Sequence, residues 1–371
     1  MKGMQIPFVN LSAQWESERD ELLPIIDATL GGGHWVNGSQ VEELEEALAG
    51  LCESRYAVAL NSGTDALVFG LAALGIGRGD EVITPPNSFI ASTAAICHLG
   101  AIPVFVDVLP DQTIDPEQVQ EAVGPKTRAI MPVHLTGRMC LMNRLNEIAE
   151  KENLWMIEDA AQAIGSRYLG RASGSWGSFG CFSTHPLKNL NAIGDGGFII
   201  TQSKDWAEKI RRLRSHGLAD RNTASEFGFV SRMDEVQAAT LLYRLTRLSD
   251  LVVKRRRNAD LYRSLLSDLP IVLPPEDADH WDTFHTFVIQ THDRDRLQDH
   301  LRKRGIGTGI HYPKLISDQP AMSTRTHRIV GTLQRAREQS QQILSLPINQ
   351  TLDEKDIVLV AQEISNFYSG K

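Results

Sequence analysis

No stretch of the chain reaches the roughly 18 consecutive apolar residues of a membrane-spanning helix, so no membrane partner is expected. Cysteine is scarce, at positions 52, 97, 140 and 181, and no two form a CxxC pair. That spacing fits no disulfide framework or thiolate metal site, and reads as reduced thiols of a cytoplasmic protein. The opening MKGMQIPFVNLSAQWE turns polar within a dozen residues and lacks a signal-peptide apolar core. The 11 histidines show neither HxxxH nor HExxH spacing, which argues against a metal. A GxGxxG loop after a strand is missing too; GIGTGI (305–310) has the wrong spacing, which argues against nicotinamide chemistry. Basic charge is in deficit, with 38 Lys+Arg against 46 Asp+Glu and a net charge of -8. An acidic chain repels a polyphosphate unless it carries a strong basic stripe, so nucleic acid is not expected as a partner. The one basic run, Lys254 to Arg257, falls in a helical pattern and reads as a solvated face.

What is present is ordinary globular composition, 42% apolar and 23% charged over 371 residues. At about 100–200 residues per domain, two or three domains are expected. From about 40 to 210, short apolar runs alternate with amphipathic segments. Runs at 57–60, 81–84, 102–108, 128–133 and 154–159 read as buried strands; 41–51, 64–74, 89–99 and 139–151 read as helices. Such alternation predicts a mostly parallel sheet covered by helices, an α/β fold. Two further strands, at 181–184 and 198–201, close this part. One long helix is expected from Met233 to Arg263. A Pro-rich break, a strand at 286–290, a helix from Arg294 to Arg304 and a last helix from Asp353 to Phe367 then predict a smaller α+β unit. The expected division is an N-terminal segment 1–35 on the active-site rim, a large domain 36–248 and a small domain 249–371.

Three clusters carry chemistry. Asn61-Ser62-Gly63-Thr64-Asp65 follows a strand and opens a helix. It reads either as an anion site built from free N–H groups or as a plain N-cap. Asp159, in Ile157-Glu158-Asp159-Ala160-Ala161-Gln162, ends an apolar strand where α/β sheets place ligands. It reads as the partner of a cationic group such as a protonated pyridine, or as the N-cap of a following helix. Lys188, in FSTHPLKNL, sits among apolar neighbours, where a lowered pKa suits Schiff-base chemistry. The glycines of Gly194-Asp195-Gly196-Gly197 imply close backbone approach nearby.

The order SGT, IEDAAQ, FSxxPxKN with GDGG, SRMDExQAA (231–239) and GIGTGIHYP (305–313) resembles the DegT/DnrJ/EryC1/StrS family of pyridoxal-phosphate-dependent sugar aminotransferases, over about residues 30–350. The resemblance implies a fold-type I transferase, a homodimer with shared sites and pyridoxal 5'-phosphate as cofactor. It implies that Lys188 forms the Schiff base and moves the proton. Asp159 would pair with the pyridinium nitrogen, Gln162, one helical turn on, would bond the ring oxygen, and Phe89 would stack on the ring. Gly63, Thr64 and Ser183 would hold the phosphate, and His311 and Tyr312 would lie near the sugar entrance. The implied reaction moves an amino group from an amino acid, glutamate, to a keto or aldehyde sugar, foremost a nucleotide-linked keto-deoxyhexose. An inosose and an acyclic eight-carbon sugar acid stay open as acceptors. The alternatives are sugar dehydration, whose family members carry histidine at the lysine position, and a non-catalytic regulatory protein. The chain departs from the pattern at Gly228-Phe229-Val230-Ser231-Arg232, where members commonly read GYNSR or GYNYR. Val230 stands where the family places an asparagine that reaches the other subunit's phosphate, with Ser231 and Arg232 as substitutes.

Overall fold

The computed structural model describes residues 6–370. Ten strands matter here: β1 (Tyr56–Leu60), β2 (Glu81–Thr84), β3 (Ile102–Phe105), β4 (Thr127–Ile130), β5 (Trp155–Asp159), β6 (Phe179–Ser183), β7 (Gly197–Thr201), β8 (Phe287–Gln290), β9 (Arg328–Ile329) and β10 (Ile343–Leu346). Eight form one sheet in the order β1-β7-β6-β5-β4-β2-β3-β9. All neighbours run parallel except β7, which is antiparallel to both β1 and β6. The expected mostly parallel α/β sheet is therefore observed. Its strands are nearly continuous buried runs, as a sheet covered on both faces requires.

Side-chain alternation builds the two layers. Val58, Ile157 and Ile199 face one apolar cluster, shared with the helix Gly63–Ala73. Ala57, Phe182 and Ile200 face a second, shared with the helices Ser39–Leu51 and Glu235–Leu245. Ile83, Ile130 and Met156 face a third on that same side, shared with the helix Met142–Glu152. A fourth core lies in the C-terminal third, where β8 and β10 pair antiparallel, Phe287 against Leu346. Ile6 reaches it from the N-terminus through a bridge to Ile306.

Two expectations need correction. The long helix at 233–263 is two helices, Glu235–Leu245 and Leu248–Leu266. The chain tightens between them, with Arg247 N–H bonded to the Arg244 carbonyl and the Thr246 hydroxyl to the Tyr243 carbonyl. The second helix then joins two cores, with Leu248 and Val252 in one and Ala259 and Tyr262 in the other. No helix follows β5, so Gln162 is not one helical turn beyond Asp159. Successive turns run through Ala160–Ser166, closed by Ala163 N–H on Ala160 and Ser166 N–H on Ala163, and Gly165 adopts φ +80°.

Glu158 anchors this region. Its fully buried carboxylate accepts from the N–H groups of Gly174 (2.8 Å), Trp176 (2.7 Å) and Gly177 (2.7 Å), and lies 2.9 Å from His134 Nε2. A Glu158→Leu variant should lose about 3 kcal/mol or more, because four buried or part-buried donors lose their acceptor at once. Urea unfolding measures this; a loss under about 1 kcal/mol would show that the anchor carries little.

Candidate active site

A cavity of about 600 Å³ opens at the carboxyl ends of β5 and β6. Such strand ends are where open α/β sheets hold ligands. The cavity is walled by the start of the helix Gly63–Ala73, by Phe89 and Ser92, by residues 8–11, and by 285–286, 309–312 and 348–350 of the C-terminal part. Gly63, Thr64, Phe89, Asp159, Gln162, Ser183, Lys188, His311 and Tyr312 all line it, whereas Val230, Ser231 and Arg232 do not.

At one end, Ser62 caps the helix by accepting the Asp65 N–H at 3.1 Å. The plain-cap reading thus holds for Ser62, and the cap leaves the first-turn N–H groups of Gly63 and Thr64 unpaired within the helix. Gly63 is squeezed against β6: a Cβ there would lie 2.8 Å from the Ser183 Cβ. Gly197 is pressed on the same turn, where a Cβ would collide with the backbone of Ser62 and Gly63. The close approach inferred from the glycine cluster is therefore against this helix start. The helix start, Thr64 and Ser183 share this end of the cavity wall, and an oxyanion is the natural ligand of such backbone and hydroxyl donors.

Asp159 shares the face of Ile157, as residues two apart on a strand do. It is buried, with one oxygen accepting from Ser92 Oγ at 2.6 Å and the other from Ala161 N–H at 3.2 Å. Burial raises its pKa above the usual carboxylate range, opposed by the Ser92 and Ala161 bonds and by Lys188. Lys188 sits in a turn after β6, its N–H on the His185 carbonyl. Asn189 pins that turn to the Thr283 carbonyl at 3.1 Å, and Asn191 pins it to the Pro186 carbonyl at 2.8 Å. Desolvation pulls the Lys188 amine down to about 8, opposed by the Asp159 charge. At neutral pH a useful fraction is therefore the free amine, a nucleophile and proton carrier.

Gln162 Oε1 accepts from Thr136 N–H at 2.7 Å, and its Nε2 lies 3.4 Å from the Tyr312 hydroxyl. Phe89 is 56% exposed, its ring 5.8 Å from that of Tyr312. His311 stacks on Phe8 at 5.6 Å, and its Nδ1 lies 2.8 Å from Ser345 Oγ. Burial holds His311 down at about 4 and pushes Tyr312 up to about 12. Val230 is outside the cavity wall and exposed; its carbonyl accepts from Asn61. Ser231 is buried and donates to Asn61 Oδ1, just behind the Ser62 cap. Sequence reasoning missed Ser92, His285 and Arg255, each brought to the wall by packing and marked by no motif.

The profile of the DegT/DnrJ/EryC1/StrS aminotransferase family matches residues 16–365. The chain belongs to this family. It is 40% identical over 362 residues to a dTDP-3-amino-3,4,6-trideoxy-alpha-D-glucose transaminase of Streptomyces venezuelae, covering 97% of this chain and 95% of that one. It is 37% identical over 369 residues to a pleiotropic regulatory protein of Geobacillus stearothermophilus, covering 98% and 99%. The crystal structure of S. venezuelae DesV in complex with a ketimine intermediate superposes with a TM-score of 0.95 at 40% identity, covering 98% of each chain. The fold is thus the fold-type I transferase architecture, and the chain is an aminotransferase.

The depressed Lys188 pKa has a stability consequence. A charged lysine costs more in the native cavity than in the unfolded chain, so below pH 8 the native state carries the full penalty. Between pH 8 and 10.5 the unfolded state binds the extra proton, so stability rises with pH. Lys188→Met should therefore stabilise the ligand-free protein at pH 7 by about 1–3 kcal/mol, discounted because the side chain keeps some contact with solvent. The gain should fade as the pH approaches 10.5. Denaturant titrations across pH 6–10.5 test this; an equal gain at every pH would point to packing instead.

Proposed function

We propose that the cavity holds pyridoxal 5'-phosphate and transfers an amino group from glutamate to a nucleotide-linked keto-deoxyhexose. The observation that carries this reading is a half-buried amine of lowered pKa facing a buried carboxylate, with an oxyanion cradle at the cavity's end. The donor set fits the cofactor's parts. The crowded Gly63–Ser183 contact leaves backbone and hydroxyl donors for a phosphate. A carboxylate raised by burial gains most from a cationic ring nitrogen. When bound, pyridoxal phosphate supplies a carbonyl carbon for amines and an electron sink for the bond broken at the substrate α-carbon.

The chain's residues do the rest. Lys188 Nζ would hold the cofactor covalently between turnovers and, once the donor's amine displaces it as the free amine, would accept and return the substrate proton. Asp159 keeps the ring nitrogen charged, and Ser92 orients Asp159 through their 2.6 Å bond. Gln162 would bond the ring oxygen, Phe89 would cover one ring face, and Gly63, Thr64 and Ser183 would hold the phosphate. His311 and Tyr312 meet the substrates, with Tyr312 nearer Gln162 than the cavity mouth. The Streptomyces relative favours a dTDP-linked deoxyhexose as acceptor.

A regulatory reading draws on the Geobacillus relative's name. A pure binder needs no amine tuned toward neutrality opposite an aspartate, so the aminotransferase reading stands ahead. Dehydration is disfavoured by Lys188 itself. The proposed division at residues 1–35, 36–248 and 249–371 is supported by the separate C-terminal core and by residues 8–11 on the cavity rim. The four cysteines, all free thiols, suit the cytoplasm. Among the described residues no helix is long and apolar enough to cross a membrane.

A homodimer is supported by the apolar side chains left open near the site: Phe227, fully exposed, with Trp35, Leu187, Phe229 and Val230. Patches of this kind mark association surfaces. Light scattering should give twice the mass of the chain; a fully active monomer would refute shared sites.

Reconstituted with pyridoxal phosphate, the protein should show a visible absorbance band that glutamate bleaches. Borohydride should fix the cofactor on the Lys188 peptide, and Lys188→Ala should lose both signals. Asp159→Asn should keep the label yet slow the glutamate half-reaction by about 100-fold or more. Label on another lysine, or an undiminished Asp159→Asn rate, would sink the assignments.

A further inference from the structure

The basic run read as a solvated face conceals a buried cation. Arg257 is exposed, but Arg255 is 5% exposed and lines the cavity. Its Nη1 donates to the carbonyls of Phe284 (2.9 Å) and His285 (3.2 Å), and its Nη2 to Gln350 Oε1 (3.0 Å). All three acceptors are neutral. A guanidinium has five N–H donors; Nε is buried with no acceptor among the described residues, and one Nη2 hydrogen is also unused. Among the described residues Arg255 joins no ion pair, and burial pulls it down to about 10. Buried charges are normally paired, because an unpaired one forfeits its hydration without compensation.

The surrounding wall supplies no negative charge. His285 Nδ1 is shut off without a partner, and burial, then Lys188, Arg255 and His311, hold that ring far below its usual value. His311 is held down as well, so both rings are neutral at neutral pH. Of the two acids in the cavity wall, Asp159 is engaged by Ser92 and Ala161, and Asp195 is exposed. One side of the cavity therefore carries a permanent, unmatched positive charge. It is distinct from the Gly63–Ser183 cradle.

We propose that Arg255 is the cavity's anchor for the carboxylate of the amino-acid donor, an inference that rests on the aminotransferase reading. Arg255 bonds the His285 carbonyl, and both residues wall the same cavity as Lys188, which brings the amine-handling lysine and the unpaired guanidinium to one region. An amino acid carries its carboxylate on the carbon that bears its amine. Delivering that amine towards Lys188 thus brings the carboxylate to this wall. The acceptor's hexose ring is neutral and its charge lies on the nucleotide diphosphate, not on the keto carbon, so the anchor matches the donor's carboxylate and not the acceptor's reacting ring in a cavity both must use. Gln350 steadies the guanidinium while its own amide donates to Gln14 Oε1 at 2.9 Å.

The test uses the holoenzyme and glutarate, a five-carbon dicarboxylate without an amine, titrated calorimetrically into wild type, Arg255→Gln and Arg255→Lys. Charge-assisted bonds of this kind correspond to roughly 10–100-fold in affinity. Arg255→Gln should weaken glutarate and raise the glutamate KM by about that factor. The sugar-acceptor KM and the cofactor absorbance should stay unchanged. Arg255→Lys, which keeps the charge without the planar fork, should fall between and serves if the glutamine variant does not fold. Wild-type glutarate affinity in both variants would overturn the anchor. A rise confined to the acceptor's KM would overturn the donor assignment and point to an anionic sugar or its phosphates. A wild-type holoenzyme that does not convert glutamate would instead overturn the aminotransferase reading on which the anchor rests.

Discussion

Two adjacent carboxylates end β5, and a strand turns successive side chains to opposite faces. Glu158 faces inward and is saturated by three backbone N–H groups and His134. That saturation clamps the strand end to the 174–177 turn and to the segment after β4. Asp159 is thereby held on the other face with only two donors, Ser92 and Ala161. The fold satisfies the first carboxylate completely and leaves the second with lone pairs unclaimed. Every other feature of the cavity is arranged around that difference.

A second constraint ties together parts distant in sequence. Gln14 exchanges hydrogen bonds with Asn191, 3.0 and 3.1 Å, and also meets Glu18 and Gln350. Asn191 holds the Pro186 carbonyl, two residues before Lys188, and Gln350 holds Arg255. Glu18 is paired with Arg244, whose Nη1 also bonds the Asn191 carbonyl at 2.6 Å. The helix Leu11–Gly31, which carries Gln14 and Glu18, is thus joined by one buried network to the lysine turn and to the arginine wall. Buried networks of this kind are costly when partly satisfied and specifying when complete. The polar cluster fixes two cationic groups relative to each other where an apolar contact would leave them free to slide.

Much of this was legible beforehand because it depends on local rules. Strand runs, the helix start at Ser62 and the crowded glycines are read from spacing, and Lys188, Asp159 and Gly63 fall where those elements end. The unread parts depend on packing. The helix break near Arg247 has neither glycine nor proline to announce it. The stretch after β5 carries good helix formers, Ala160 and Ala161, yet its donors go to the Cys181 carbonyl, to Asp159 and to turns. Arg255 sits in a run of four basic residues, where periodicity alone cannot tell which one faces the core. Ser92 has the composition of any helix surface and becomes significant only against Asp159.

The electrostatics of the cavity follow from these placements. Depressing Lys188 needs desolvation, but a buried aspartate nearby works against it by favouring the ammonium. Desolvation outweighs that aspartate, and the cavity wall adds no further negative charge against it: His285 and His311 are both held neutral, and Arg255 is a fixed cation. An anion arriving at Arg255 would shift that balance, because a carboxylate near Lys188 favours its charged form. Binding a carboxylate at the arginine wall would therefore make Lys188 a stronger proton acceptor when the substrate proton has to move. The same unmatched guanidinium that burdens the empty cavity then becomes a source of both affinity and timing.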